Sequence, residues 1–255
     1  MKNEYIEKLN EVKKFFPDSN IIDSRIEKID NIFDTLSNDL LPKENISGIE
    51  LSEDEITSLF QVALQGDLND FEVKVNSLEE FDHQLGELRT ELQNSFGYWA
   101  NITEDFMEEF VKQYPNEGFL ELMAGNGYIS SAINRLGGTA ICTDNLSWSK
   151  ESKTGRKQYT NIEELDALNA IEKYHNQVST IILAWSPDRE EIDYDILELV
   201  RKYQLQFLVI GEKNGATNSA KFWSNAQLID DPKIKKINKF YSNYDIVDDR
   251  LYLVE

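Results

Sequence analysis

Residues 119–145 read Phe-Leu-Glu-Leu-Met-Ala-Gly-Asn-Gly-Tyr-Ile-Ser-Ser-Ala-Ile-Asn-Arg-Leu-Gly-Gly-Thr-Ala-Ile-Cys-Thr-Asp-Asn. An apolar strand carrying Glu121 runs into a turn of small residues, Ala124, Gly125, Asn126 and Gly127, and a helix begins near Tyr128. Glycine permits unusual backbone angles and lets peptide N–H groups come close to a ligand. The helix N-terminus that follows favours a carboxylate or phosphate. About 20 residues further on, a second strand ends in Asp144, where a carboxylate can accept hydrogen bonds from the two hydroxyls of a ribose. This is the layout of a nucleotide site. A glycine turn alone also serves packing, and an isolated Asp144 also caps loops, so the joint spacing carries the reading. Glu121 either faces the ligand or holds the turn through backbone N–H groups.

Other reactive side chains are few. Glu212 ends the strand Phe207-Leu-Val-Ile-Gly-Glu212, at the edge where α/β sites gather, as a substrate contact, a general base or a solvated strand-end acid. Cys142 is the single cysteine, which excludes an intrachain disulfide framework and a cysteine-cluster zinc site. It reads as a small buried apolar residue. His83 and His175 are far apart in sequence, against a histidine-rich metal site. His175 closes a helix and His83 reads as surface.

The elements that must position these residues fall into two textures. Residues 1–94 predict an all-helical domain. Tyr5, Ile6, Leu9, Val12 and Phe15 make one stripe ending at Pro17, and Ile22, Ile26, Ile29, Phe33 and Leu36 make a second. Ser52 with Glu55 and Ser77 with Glu80 are two candidate capping boxes opening helices. The alternation Phe71, Val73, Val75 allows a short strand. Residues 95–255 predict a Rossmann-like, mostly parallel sheet with helices on both faces, because short β-branched runs alternate with helical patterns. Thr103 caps the first helix of this part. Residues 219–229 read as a helix. The closing residues 234–255 read as two strands that pair antiparallel, since the segment between them is too short for a helical crossover.

The region from Phe96 onward resembles the class I S-adenosylmethionine-dependent methyltransferases. Their first motif (acid, apolar, Gly, any, Gly, any, Gly) matches Glu121-Leu122-Met123-Ala124-Gly125-Asn126-Gly127, with Met123 in place of the first glycine. The resemblance implies that Asp144, with Asn145 beside it, takes the ribose. It also implies that Asp166 and Ala167 flank the adenine, and that Ala184-Trp185-Ser186-Pro187 closes over the methyl-transfer site. Phe96-Gly97-Tyr98-Trp99-Ala100 is similar to the aromatic stretch that lids the cofactor in that family. The alternative readings are interdomain packing for Tyr98 and Trp99, a helix N-cap for Asp166, and either core or pocket wall for Trp185. An antiparallel closing strand is a family feature that NAD-binding Rossmann domains usually lack.

The expected function is therefore methyl transfer from S-adenosylmethionine to a small-molecule or protein acceptor, with Trp185 and Glu212 the candidates nearest the chemistry. Two readings stand beside it: a non-catalytic S-adenosylmethionine-binding or regulatory protein, and an NAD-dependent oxidoreductase. The last meets a broken Gly-any-Gly-any-any-Gly motif, because Ser130 stands in the final position. The 255 residues carry 26 Lys and Arg against 47 Asp and Glu, a net charge of −21. Residues 1–112 hold 10 basic and 26 acidic side chains. Binding to nucleic acid concentrates positive charge, so this balance disfavours a nucleic-acid acceptor. No apolar run is long enough to span a bilayer, and the amphipathic start is unlike a signal peptide. A cytoplasmic chain, with the N-terminal helices as a possible homodimer contact, is the expectation.

Overall fold

A computed structural model describes residues 4–43, 46–65, 68–147 and 157–255, the side chains of 68 and 69 excepted. The chain divides into two compact units. One comprises Met1–Leu40 with Ser47–Leu92, the other Leu41–Ile46 with Gln93–Glu255.

The first unit is helical. It contains α1 (Glu4–Glu11), α2 (Asn20–Ser37), α3 (Glu53–Ala63), α4 (Leu68–Gly86) and most of α5 (Leu88–Phe96). In α2 the stripe Ile22, Ile26, Ile29, Phe33 and Leu36 is buried, as its spacing requires. Tyr5 stacks on Phe33 with ring centroids 5.7 Å apart, and its hydroxyl donates to the Gln84 carbonyl at 2.7 Å. The Ser52–Glu55 capping box is formed: the Ser52 hydroxyl accepts from the Glu55 N–H at 3.3 Å, and the Glu55 carboxylate accepts from the Ser52 N–H at 2.9 Å. Three expectations fail here. The first stripe buries Phe16 rather than Phe15, because α1 stops at Glu11 and a tighter 3-10 turn over Val12–Lys14 rotates the chain. Phe71, Val73 and Val75 lie inside α4, not in a strand. That same helix runs through Ser77 and Glu80, so they open nothing.

The second unit is an α/β sandwich. Its elements are α6 (Glu104–Gln113), β1 (Gly118–Leu122), α7 (Tyr128–Arg135), β2 (Thr139–Asp144), β3 (Glu163–Glu164), α8 (Ala167–Tyr174), β4 (Thr180–Ala184), α9 (Ile192–Tyr203), β5 (Gln206–Glu212), α10 (Ala220–Asn225), β6 (Leu228–Ile229), α11 (Pro232–Ile237) and β7 (Asp249–Val254). The strands form one sheet in the order β3-β2-β1-β4-β5-β7-β6. Pairings among β1 to β5 are parallel, and β7 is antiparallel to both β5 and β6. The inner strands β1, β4 and β5 are covered on both faces, which is why they read as unbroken apolar runs. Leu120, Ile181, Leu183, Phe207 and Val209 form the core with Ile171, Leu197 and Phe222 from the helices.

Alternation and β-branching thus predict β1, β2, β4 and β5, but not the two-residue β3, which opens a stretch with a mostly helical pattern, nor the far end of the sheet. The closing residues hold one strand, not two. Asp231 caps α11 by accepting from Lys233 N–H at 2.6 Å, Pro232 occupies its first turn, and Ile234 and Ile237 turn inward together. The antiparallel partners of β7 are β5 and the two-residue β6, which ends the 219–229 segment read as wholly helical. No helix among the described residues is long and apolar enough to cross a membrane.

Candidate functional site

A cavity of about 560 Å³ opens at the carboxyl ends of β1, β2 and β4. Its floor is the turn after β1. Gly125 has φ +58, and a Cβ built on it would meet nothing within 4 Å, so its exposed backbone faces open space. Gly127 has φ +78 but serves a different purpose. A Cβ there would lie 2.9 Å from Thr160 Cγ2 and 3.1 Å from Cys142 Sγ, so this glycine lets α7 pack on β2. Met123, at the position of the missing first glycine, also adopts the left-handed conformation, with φ +52. A side chain there costs roughly 1–2 kcal/mol. The backbone path of a three-glycine turn is therefore kept without the first glycine.

Asp144 and Glu121 fix this floor from beneath. The Asp144 carboxylate accepts from Gly125 N–H at 2.8 Å and from Leu146 N–H at 2.6 Å, and the residue is 4% exposed. It is a buried brace of the turn as well as part of the cavity wall, which differs from a cleft-edge acid lying outside the core. Glu121 accepts from Ser130 N–H at 2.8 Å, tying β1 to the first turn of α7 rather than to the glycine turn itself. Burial pushes its carboxyl up to about 7; the hydrogen bond from Ser130 N–H opposes the rise and the Asp144 charge adds to it. The same burial, with Glu121 beside it, raises the Cys142 thiol well above its ordinary range.

The aromatic stretch upstream forms a wall. The Phe96 carbonyl accepts both from Asn126 Nδ2 at 2.7 Å and from the Tyr128 hydroxyl at 2.8 Å, clamping the stretch to the glycine turn. Tyr98 is 1% exposed and donates to the Ile102 carbonyl at 2.6 Å, with its ring edge-on to Tyr128. It packs and lines the cavity at once.

The opposite wall follows β4. Trp185 takes φ +55, a strained angle for an aromatic residue. Two bonds fix it there: its N–H donates to the Ile210 carbonyl at 2.9 Å, and its indole Nε1 donates to Asp249 Oδ2 at 2.7 Å. Asp249 also accepts from the Tyr241 hydroxyl at 2.5 Å, and that hydroxyl accepts from Asn101 N–H at 3.1 Å. Trp99 stands 6.1 Å from Trp185, centroid to centroid, with the rings inclined at 48°. Ser186, Pro187, Asp188 and Glu190 continue this wall.

Of the sequence-predicted residues, Tyr98, Glu121, Ala124, Gly125, Asn126, Asp144, Asn145 and Trp185 line the one cavity. Gly127, Asp166, Ala167 and Glu212 do not. Asp166 is the N-cap of α8, accepting from Asn169 N–H at 3.0 Å, and Ala167 is buried in the core. Glu212 spends both carboxylate oxygens on loop backbone, accepting from Ala216 N–H at 2.6 Å and from Asp248 N–H at 2.9 Å. Sequence reasoning missed Asp249, which lies 64 positions from the indole it holds and has no motif around it. It also missed the Phe96 carbonyl, because a backbone acceptor leaves no trace in residue type.

No family model and no curated protein matches the sequence. Among solved structures, a conserved hypothetical protein from Streptococcus pyogenes is similar at 14% identity and TM-score 0.32, over 55% of this chain and 87% of that one. A mutant of MtNAS is similar at 9% identity and TM-score 0.34, over 77% and 68%. The same mutant in complex with S-adenosylmethionine is similar at 9% identity and TM-score 0.37, over 100% and 98%.

Proposed function

We propose that this cavity binds S-adenosylmethionine and that the protein passes its methyl group to a small-molecule or protein acceptor. The observation that carries the reading is the Asp144 carboxylate bonded to the Gly125 amide in the wall of a cavity of about 560 Å³. That volume lies within the usual 300–1,000 Å³ of small-molecule sites. Asp144 would take the ribose hydroxyls, and the amides of the turn and of the first turn of α7 would take the carboxylate end. The open space over Gly125 supports the fit.

S-adenosylmethionine supplies an already activated methyl carbon. The work left to the chain is to hold an acceptor lone pair in line with it and to exclude water. The acceptor gains a bond to carbon, the sulfur keeps the electron pair of the broken bond, and any acceptor proton leaves to solvent or a nearby carboxylate. An NAD-dependent oxidoreductase is the weaker reading, because the sheet carries the antiparallel β7 and Ser130 breaks the dinucleotide motif.

Calorimetric titration with S-adenosylmethionine and S-adenosylhomocysteine tests the proposal. Saturable heat and a thermal shift are expected; neither at millimolar ligand would sink it. Binding without turnover is the second reading, favoured by the engagement of Glu212 outside the cavity. Cofactor binding with no labelled methyl transfer to any extract component would select it.

A further inference from the structure

We infer that the β4 end of the cavity receives an alkylamine in its ammonium form, so that the acceptor belongs to the amines. The ammonium passes one proton through Asp188 or Glu190 to solvent, and the freed nitrogen lone pair then bonds the methyl carbon while the sulfur keeps the electron pair of the broken bond. The inference rests on the methyl-transfer reading and names the acceptor class of that site.

Four carboxylates line the cavity, Glu121, Asp144, Asp188 and Glu190, and its described lining residues include no Lys, Arg or His. Two of the acids are committed to backbone amides. Asp188 and Glu190 are exposed on the loop that follows β4. Arg189 approaches Asp188 only to 3.9 Å with both side chains in solvent, a contact worth little. Glu190 makes no ion pair among the described residues. The same cavity is lined by Trp99 and Trp185, whose ring centroids lie 6.1 Å apart. Aromatic faces next to carboxylates attract ammonium groups through the ring quadrupole and through charge.

A second observation points the same way. Ser186 lines this wall and is 1% exposed, and its buried hydroxyl has no hydrogen-bond partner among the described residues. Leaving such a group unbonded is unfavourable, and an N–H donor on a ligand would satisfy it. An anionic acceptor would find no counter-charge among the described lining residues. The net charge of −21 adds a field that draws cations to the surface.

The test uses the full chain saturated with S-adenosylhomocysteine, after a first titration has measured that ligand alone. The probes are n-butylammonium and N-acetyl-lysine methylamide, with n-butanol and butyrate as uncharged and anionic controls, followed by ligand-observed NMR. Both amines should bind at least about ten-fold more tightly than butanol, and butyrate should not bind. Whichever amine binds better says whether the group comes from a free amine or a lysine side chain. Asp188→Asn with Glu190→Gln should weaken amine binding about ten-fold, a larger change than it makes in S-adenosylhomocysteine affinity. Both side chains are exposed, so the variant should fold as the parent does. Amine binding no tighter than butanol, no loss in the double variant, or displacement of S-adenosylhomocysteine by the amines would overturn the inference. If S-adenosylhomocysteine gives no heat, the methyl-transfer reading fails first, and the same amine titrations on the chain alone still decide whether the cationic site exists.

Discussion

The N–H of Gly125, in the turn after β1, and the carboxylate of Asp144, at the end of β2, meet at 2.8 Å. This bond closes the floor of the cavity. It also makes Asp144 responsible for the shape of the site as well as for a ligand contact.

Asp144→Ala should therefore lose stability and affinity together. Two backbone amides lose their acceptor, at about 1–3 kcal/mol each if they stay dry. S-adenosylmethionine affinity should fall ten-fold or more. Asp144→Asn keeps an acceptor oxygen for only one of the two amides, which bond to different carboxylate oxygens, and should recover part of the stability but not the affinity. Thermal unfolding and calorimetry on both variants separate the effects. An alanine variant as stable and as tight-binding as the parent would remove Asp144 from the site.

The two glycines of the turn should part company. Gly125→Ala meets only the left-handed penalty of roughly 1–2 kcal/mol, yet it pushes a methyl group into the cavity, so binding should suffer more than stability. Gly127→Ala adds contacts of 2.9 and 3.1 Å to the same penalty and should cost clearly more stability than Gly125→Ala. Urea midpoints of the two variants, read beside their ligand affinities, give the comparison. Equal midpoints would contradict it.

Glu121 predicts a pH dependence. Its carboxyl titrates at about 7 in the folded chain against an ordinary 4.5. The folded state then holds the proton more tightly than the unfolded state between those values. Its contribution to stability is whole below about 4.5 and is lost as pH rises through 7, by at most about 3 kcal/mol. Glu121→Gln keeps an acceptor for Ser130 N–H and cannot ionise. Urea unfolding at pH 5 and pH 8 should show a parent that loses stability on the way up relative to the variant. Parallel behaviour of the two proteins would refute the shift.

Asp249 should act on the site through Trp185. Asp249→Leu leaves the indole N–H and the Tyr241 hydroxyl without their acceptor and should cost roughly 2–4 kcal/mol. Trp185→Phe removes one of those donors and should cost less when Asp249 is already leucine than when it is present. A double-mutant cycle reads this coupling directly. Additive losses would show that the bond is not what holds the strained tryptophan.

Much of this was written locally. The strands β1, β4 and β5 announce themselves as apolar runs because both faces are covered, and Ser52 with Glu55 marks a helix start that the structure keeps. The glycine turn and the acid at the end of β2 were legible by spacing. The failures have two causes: a local start signal that competes with the strand pattern, and partners brought in by the fold that no local pattern shows. Ile234 and Ile237 suit a strand or a helix, and the Asp231–Pro232 start signal decides for the helix. Glu212 sits at the right end of β5, but its oxygens are claimed by amides brought in from Ala216 and Asp248. Asp166 follows its capping role for the same reason, since the nearest N–H groups reach it first.

The short segment Leu41–Ile46 groups with residues far downstream. The Pro42 carbonyl accepts from Glu104 N–H at 2.9 Å and the Lys43 carbonyl accepts from Asp105 N–H at 3.2 Å, at the start of α6. That helix cannot complete its amino end until chain made much earlier has come back to it. Closing a loop grows costlier only slowly with its length, and a loop that has already condensed into helices has little freedom left to lose. Early collapse of Ser47–Leu92 would then speed assembly of the sheet-bearing unit, with the helical residues acting as a folded bracket during synthesis.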